Sequence, residues 1–152
     1  MVRLKIGDVF EILTSNGVDI FQYVHKDERI GPLIRILPNL NKGESEIIDE
    51  LVKAKELYLI HFPLGAALWH KIVKKIGNYP VPQHFILPSK FRTEHIIGDE
   101  FICWHIVDYD TWKRESVKEL SDEQKKLSPW GIWNDTLLKE RLAEGWTLDK
   151  WV

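Results

Sequence analysis

Apolar and polar positions alternate from the start of the chain. Over residues 7–13, Phe10 and Ile12 alternate with Glu11, the period of a half-buried strand. Thr14-Ser15-Asn16-Gly17 interrupts the pattern. Asn-Gly between two such runs predicts a tight hairpin of type I′, with positive φ at both central residues. The return strand, 19–25, presents Ile20, Gln22 and Val24 on one face and Phe21, Tyr23 and His25 on the other. A charged loop from Lys26 to Arg29 leads to Gly31-Pro32 and a third strand, 33–37, ended by Pro38. Three short strands with tight links make an antiparallel meander.

The period then changes. Ile47, Ile48, Leu51 and Val52 share one helical face over 46–53, with Ser45 as the expected N-cap. Acids at Glu46, Asp49 and Glu50 and bases at Lys53 and Lys55 suit the dipole of such a helix. A central strand is expected over 57–62, a short helix over 64–70 behind Pro63, and a strand over 72–76 stopped by Gly77-Asn78. The best late strand is 101–107, with Ile102, Trp104 and Ile106 on one face and Cys103, His105 and Val107 on the other. Ser121-Asp122-Glu123-Gln124 is a capping-box pattern before a short helix that ends by Pro129. Asn134 or Asp135 caps a last helix over 136–144, with Gly145 in the C′ position. The expected fold is α+β: a strongly bent, mostly antiparallel sheet, a meander open or curling into a partial barrel, with three or four short helices.

At 152 residues the chain reads as one domain, 1–152. With 44% hydrophobic and 29% charged residues, disorder, collagen and disulfide-scaffold classes are excluded. A net charge of −2 argues against a basic nucleic-acid binder, so no nucleic-acid partner is expected. Apolar runs are too short to cross a membrane, and Met1 to Asp8 holds no apolar core of signal-peptide length. The single cysteine, Cys103, has no internal disulfide partner, which fits a cytoplasmic protein.

Motifs for catalysis are missing. There is no phosphate-binding glycine loop and no G-x-S-x-G, so no catalytic residue and no cofactor are assigned. His25, His61, His70, His84, His95 and His105 lack paired metal-ligand spacing, and no metal site is assigned. Cys103 beside His105 on one strand face reads as a small core hydrophobe. Asp108-Tyr109-Asp110, with Asp99 and Glu100, could offer oxygens to a divalent cation, but the regular ligand spacing is lacking and a solvated strand end is the plainer reading.

Two features point outward. Six of the seven tryptophans lie beyond residue 100, and Trp130 and Trp133 bracket Gly131 just before a helix. Trp133 reads as core packing beside a capping Asn134, whereas Trp130 and Trp112 are the anchor candidates. Thr93 to Trp112 contains no Lys or Arg, while Glu94, Asp99, Glu100, Asp108 and Asp110 are acidic, a candidate negative surface.

An ordered set of local motifs runs through the chain. Gly7-Asp8-Val9-Phe10-Glu11-Ile12, Gln22-Tyr23, Gly31-Pro32-Leu33-Ile34-Arg35, Gly77-Asn78-Tyr79-Pro80-Val81-Pro82, Phe91-Arg92, and Gly131-Ile132-Trp133-Asn134 with Gly145-Trp146 follow one another. In order and spacing, the chain resembles the Immunity protein 26 family of bacterial polymorphic toxin systems, from about residue 3 to residue 148. The resemblance implies an α+β domain without catalysis whose partner is a cognate toxin domain, bound and blocked. It supplies no toxin-contacting residues. Trp112 and Trp130 as anchors, and the acids of 94–110 as a steering surface for a basic toxin, are expectations from chemistry. The rival expectation is a small ligand-binding or hydrolytic domain with a pocket lined by Tyr23, His25 and His105. The oligomeric state is left open.

Overall fold

A computed structural model describes residues 3–38 and 47–152. The meander is present as β1 (Asp8–Thr14), β2 (Gly17–Asp27) and β3 (Gly31–Ile36). After α1 (Ile48–Lys53) come β4 (Tyr58–His61), α2 (Leu64–Trp69) and β5 (Val73–Asn78). These five strands form one antiparallel sheet in the order β4-β3-β2-β1-β5. A second antiparallel sheet contains β6 (Lys90–Ile97), β7 (Glu100–Asp108) and β8 (Arg114–Val117). The last helix, α3, spans Asp135–Ala143. The fold is therefore α+β and mostly antiparallel, with two sheets that do not close into a barrel. Among the described residues no helix is long and apolar enough to cross a membrane.

The hairpin differs from expectation in one detail. Thr14 pairs with Gly17, so Ser15 and Asn16 are the central residues, and only Gly17 takes a positive φ, 118°. The glycine is the first paired residue of β2, in a positive-φ conformation that favours glycine, and not half of a type I′ turn. The helix expected from Glu46 begins at Ile48, and its expected cap, Ser45, lies outside the described residues.

The first sheet is covered on both faces. Phe10, Ile12, Phe21, Tyr23, Ile34, Ile36, Tyr58 and Ile60 form one core with Leu64 of α2 and Leu138 and Leu142 of α3. On the opposite face, Val9, Ile20 and Leu37 pack on Leu51 and Val52 of α1. Farther along, Val24, Leu33 and Leu59 meet Phe91 and Tyr109 of the second sheet region. A register shift between Tyr23 and His25 re-aims the strand. Tyr23 stays opposite Ile34 in the first core, while His25 pairs with Leu33 and approaches the Tyr109 ring at 6.0 Å. One bulge thus places the two residues on opposite faces, against the alternation expected from sequence.

Residues 127–133 form a strap that stitches the sheets together. Its Ser128 hydroxyl accepts from the Leu59 N–H at 2.9 Å, and its Ser128 carbonyl accepts from the Arg92 N–H at 3.0 Å. Trp130 N–H donates to the Arg92 carbonyl and Trp133 N–H to the His61 carbonyl. The strap therefore satisfies edge groups of β4 and β6 that would otherwise be left unpaired. A buried side-chain bond joins the same regions: the Tyr109 hydroxyl donates to His61 Nε2 at 3.0 Å, while His61 Nδ1–H faces the carbonyls of Gly31 and Pro32 at 3.1 and 3.2 Å. Burial pulls the His61 pKa down, so the ring is neutral, as this pattern of one donor and one acceptor requires.

Several residues of the motif series meet in one buried network. Gln22 Nε2 donates to the Gly7 and Tyr79 carbonyls at 3.2 and 2.9 Å, and its oxygen accepts from Arg35 Nε at 2.8 Å. Arg35, fully buried, also donates to the Val52 and Ala54 carbonyls at the end of α1 and to Glu56. These residues hold the scaffold together.

Candidate interaction site

The strap, the turn after β7 and the loop after β2 converge on a cleft of about 390 Å³ lined by Ile30, Trp112, Arg114, Trp130, Gly131 and Ile132. The two anchor candidates, eighteen residues apart in sequence, are brought together here. Their ring centroids are 5.3 Å apart and the planes meet at 75°, forming a corner. Trp130 is half-buried, its inner side packed on Phe91 and Tyr109. Trp112 is 37% exposed and Ile132 55%.

Trp112 sits in a left-handed conformation, φ 63°. For a bulky residue this region is disfavoured by about 1–3 kcal/mol and persists only where the surroundings impose it. Two groups impose it. Asp108 Oδ1 accepts from the N–H groups of Asp110 and Thr111 and from the Thr111 hydroxyl, while Trp112 N–H returns to the Asp108 carbonyl at 2.8 Å. These bonds, Thr111's first, hold the Asp108 carboxyl below its ordinary pKa. From the side, the Arg29 guanidinium stacks 4.3 Å from the Trp112 ring. Arg29 is itself pinned by Asp27 and by the carbonyls of Tyr109 and Asp110 at 2.7 and 2.8 Å. The exposed indole is therefore fixed before anything binds.

The candidate acids are not gathered into one surface. Asp99 and Glu100 lie at the β6–β7 turn, whereas Asp108 and Asp110 follow the other end of β7, eight residues away from Glu100, or about 27 Å along an extended strand. Glu94 is half-buried and accepts from the Trp151 indole N–H. Asp108 serves its own turn, and Asp110 faces Arg29. The stretch without Lys or Arg is answered through space by Arg29, beside Asp110, and Lys90, beside Asp108, neither of which belongs to it.

Tyr23, His25 and His105 do not line a common pocket. Tyr23 is in the first core, and His105 lies on the second sheet with its ring stacked 4.7 Å from His95. Arg114 Nη1 donates to His105 Nδ1 at 3.2 Å; burial, His95 and Arg114 together lower the His105 pKa. Cys103 is buried, and Trp133 belongs to the core. Among the described residues no group of three or more His, Cys, Asp or Glu side chains is placed to hold a metal ion.

Sequence reasoning missed Arg29, Ile30, Arg114 and Ile132 as partners of the two tryptophans. The Lys26–Arg29 loop is recognisable only as charged, and its contact with Trp112 joins residues 83 apart in sequence. It also missed Trp69, at the end of α2 and 69% exposed. No family model, no curated protein and no solved structure matches the chain.

Proposed function

We propose that this chain is an immunity-type protein that binds a toxin domain and blocks it, acting in the bacterial cytoplasm and making or breaking no bond with its own side chains. The motif series supplies the family reading. The observation that carries the binding part is the pre-organised cleft: an exposed tryptophan held in a strained conformation by a dedicated turn and a stacked arginine, beside a second tryptophan. Rigid aromatic anchors lose little entropy on association, and tryptophan and arginine dominate binding energy at protein interfaces. The groups that could resemble catalytic ones are otherwise employed: His61 and Tyr109 join the sheets, and Cys103 is core.

The test is to co-express the chain with the toxin domain encoded in the adjacent reading frame and to measure survival and affinity. Rescue of growth and a stable complex are expected. Trp112→Ala should weaken that complex by about thirtyfold or more, the range of an interface hot spot. A toxin domain that is neither bound nor neutralised overturns the proposal.

A further inference from the structure

We infer that the segment received by the Trp112–Trp130 cleft carries a large apolar side chain next to an aspartate or glutamate, whose carboxylate closes on Arg114. The inference rests on the reading of this cleft as a protein-binding site and states what its partner must present.

The lining dictates the chemistry. Trp112, Trp130, Ile30 and Ile132 make apolar walls, and among the described residues Arg114 is the one charged side chain on them. The two nearby arginines differ in how their charge is met. Arg29 is answered inside the chain by Asp27 and two backbone carbonyls. Arg114 makes one side-chain hydrogen bond among the described residues, to a ring nitrogen of His105, and no carboxylate lies within ion-pair distance of it. The acceptor is neutral imidazole, because burial, the stacked His95 and Arg114 itself all oppose protonation of His105. Most of the guanidinium's five N–H donors therefore remain open, at the rim of an apolar cleft.

An occupant that fills the corner with hydrocarbon excludes water from that rim, which raises the value of a planar bidentate acceptor there. A carboxylate adjoining the apolar side chain meets both requirements with one or two residues. A nucleobase fits less well: the rings meet at 75°, so a flat base can stack on one but not both, and two isoleucines complete the walls. The cleft, at about 390 Å³, lies at the small end of ligand sites and suits one side chain with its neighbour. This reverses the expected polarity of recognition: the anchors sit beside an unanswered cation, and the contact surface sought on the partner is acidic.

The experiment records the indole N–H signals of the full chain by NMR while adding Ac-Gly-Leu-Asp-Gly-NH2, its Leu-Asn and Leu-Lys counterparts, or decauridylate. Short peptides with so few contacts bind at about millimolar concentration. The Leu-Asp peptide should shift the Trp112 and Trp130 signals, leave Trp69 unmoved, and bind about fivefold or more tighter than the Leu-Asn peptide, with Leu-Lys weakest. Arg114→Gln should erase the Asp-over-Asn preference; Arg114 is exposed on the edge strand β8, so the fold is not at stake. The inference is overturned by equal binding of the three peptides, by no shift at about 10 mM, by preference surviving in Arg114→Gln, or by decauridylate moving the same signals. A toxin held through Trp112 but indifferent to Arg114→Gln would refute only this inference. A toxin that is never bound would refute the proposed function and leave the peptide result intact.

Discussion

Arg92 offers the most demanding test of the scaffold. Its side chain is fully buried and donates to four carbonyls: Leu127 from Nε at 3.0 Å, Lys125 and Leu148 from Nη2 at 3.0 Å each, and Trp151 from Nη1. The guanidinium lies 4.4 Å from the Trp151 ring and 5.1 Å from that of Trp104. Burial pushes its pKa down to about 10, so it is still cationic at neutral pH. Bonds from a charged donor contribute about 1.5–3 kcal/mol each, or roughly 6–12 kcal/mol gross for four. Against this stands the desolvation of a buried cation, several kcal/mol. Arg92→Met removes both and leaves four carbonyls without their donor, although water can reach part of them from the neighbouring cleft beside Lys125 and Trp151. The net loss is about 3 kcal/mol, or a fall in Tm of about 6–12 °C for a chain of this size. Thermal unfolding followed by circular dichroism measures it. Hydrogen exchange should show the N–H groups of Leu127 and Trp151, both bonded in the short turns that Arg92 holds, opening first. A Tm within about 2 °C of the parent, with unchanged exchange there, would refute the role given to this arginine.

Four further outcomes are expected. Asn134→Ala removes the side-chain acceptor that Leu137 N–H meets at 2.8 Å at the start of α3, and should lower stability by about 1 kcal/mol in a urea titration. Gly7→Ala should lose about 1–3 kcal/mol or fail to accumulate, because the glycine has φ 98° and an added Cβ would stand 2.5 Å from the Tyr79 carbonyl oxygen; a neutral effect would contradict the geometry. The depressed pKa of buried His61 means that the unfolded chain takes up a proton near pH 6.5 that the folded chain refuses, so stability is full above pH 6.5 and falls as the pH drops through the lower folded value. Melts between pH 7.5 and 5 should show this fall, reduced in His61→Gln, and a slope of undiminished size in the variant would be evidence against His61 as its source. Arg29→Ala should broaden the Trp112 indole signal and, on the proposed function, weaken binding of a toxin domain, while moving Tm by no more than about 2–4 °C, since the Arg29 side chain is 40% exposed and its pair with Asp27 is screened.

The readable parts of the fold were those with a local cause. Asn134 caps its helix, Ser121 and Gln124 exchange the two bonds of a capping box at 3.2 and 2.9 Å, and the three-strand meander follows its alternation. The elements missed were β6 and β8, for different reasons. β6 carries Arg92 and Glu94 at positions an alternation rule reads as outward, yet Arg92 is buried because four carbonyls come to it from elsewhere in the chain. β8, Arg-Glu-Ser-Val, is an exposed edge strand with almost no apolar period to detect. The bulge at Tyr23 and His25 is likewise set by pairing with β3 and leaves no mark in the alternation. The two tryptophan anchors were legible as residue types and as neighbours of turns. Their meeting, and the dispersal of the acids along β7, depend on the strap and on strand length, which no local window contains.

Three arginines show how a chain with short helices satisfies so much irregular backbone. The described α-helices have six, six and nine residues, so their terminal carbonyls are a large fraction of the whole and helix ladders cannot absorb them. Arg35 collects the end of α1, Arg92 collects the turns around 125–127 and 148–151, and Arg29 collects the turn after β7. A guanidinium suits this task because its five donors diverge in a fixed plane and can meet carbonyls from segments distant in sequence. The first two arginines are inside and stiffen the scaffold. The third works at the surface, and its free face is the one that stacks on Trp112. The strain at Trp112 is thus supported by Arg29 and the Asp108 turn, and the indole they hold packs on Trp130 while leaving 37% of its residue surface exposed. Arg114 departs from the pattern because no carbonyl and no carboxylate of the described chain meets it. Unlike Arg29, Arg35 and Arg92, it presents its open donors beside two indoles, which is where the proposed partner's carboxylate would close.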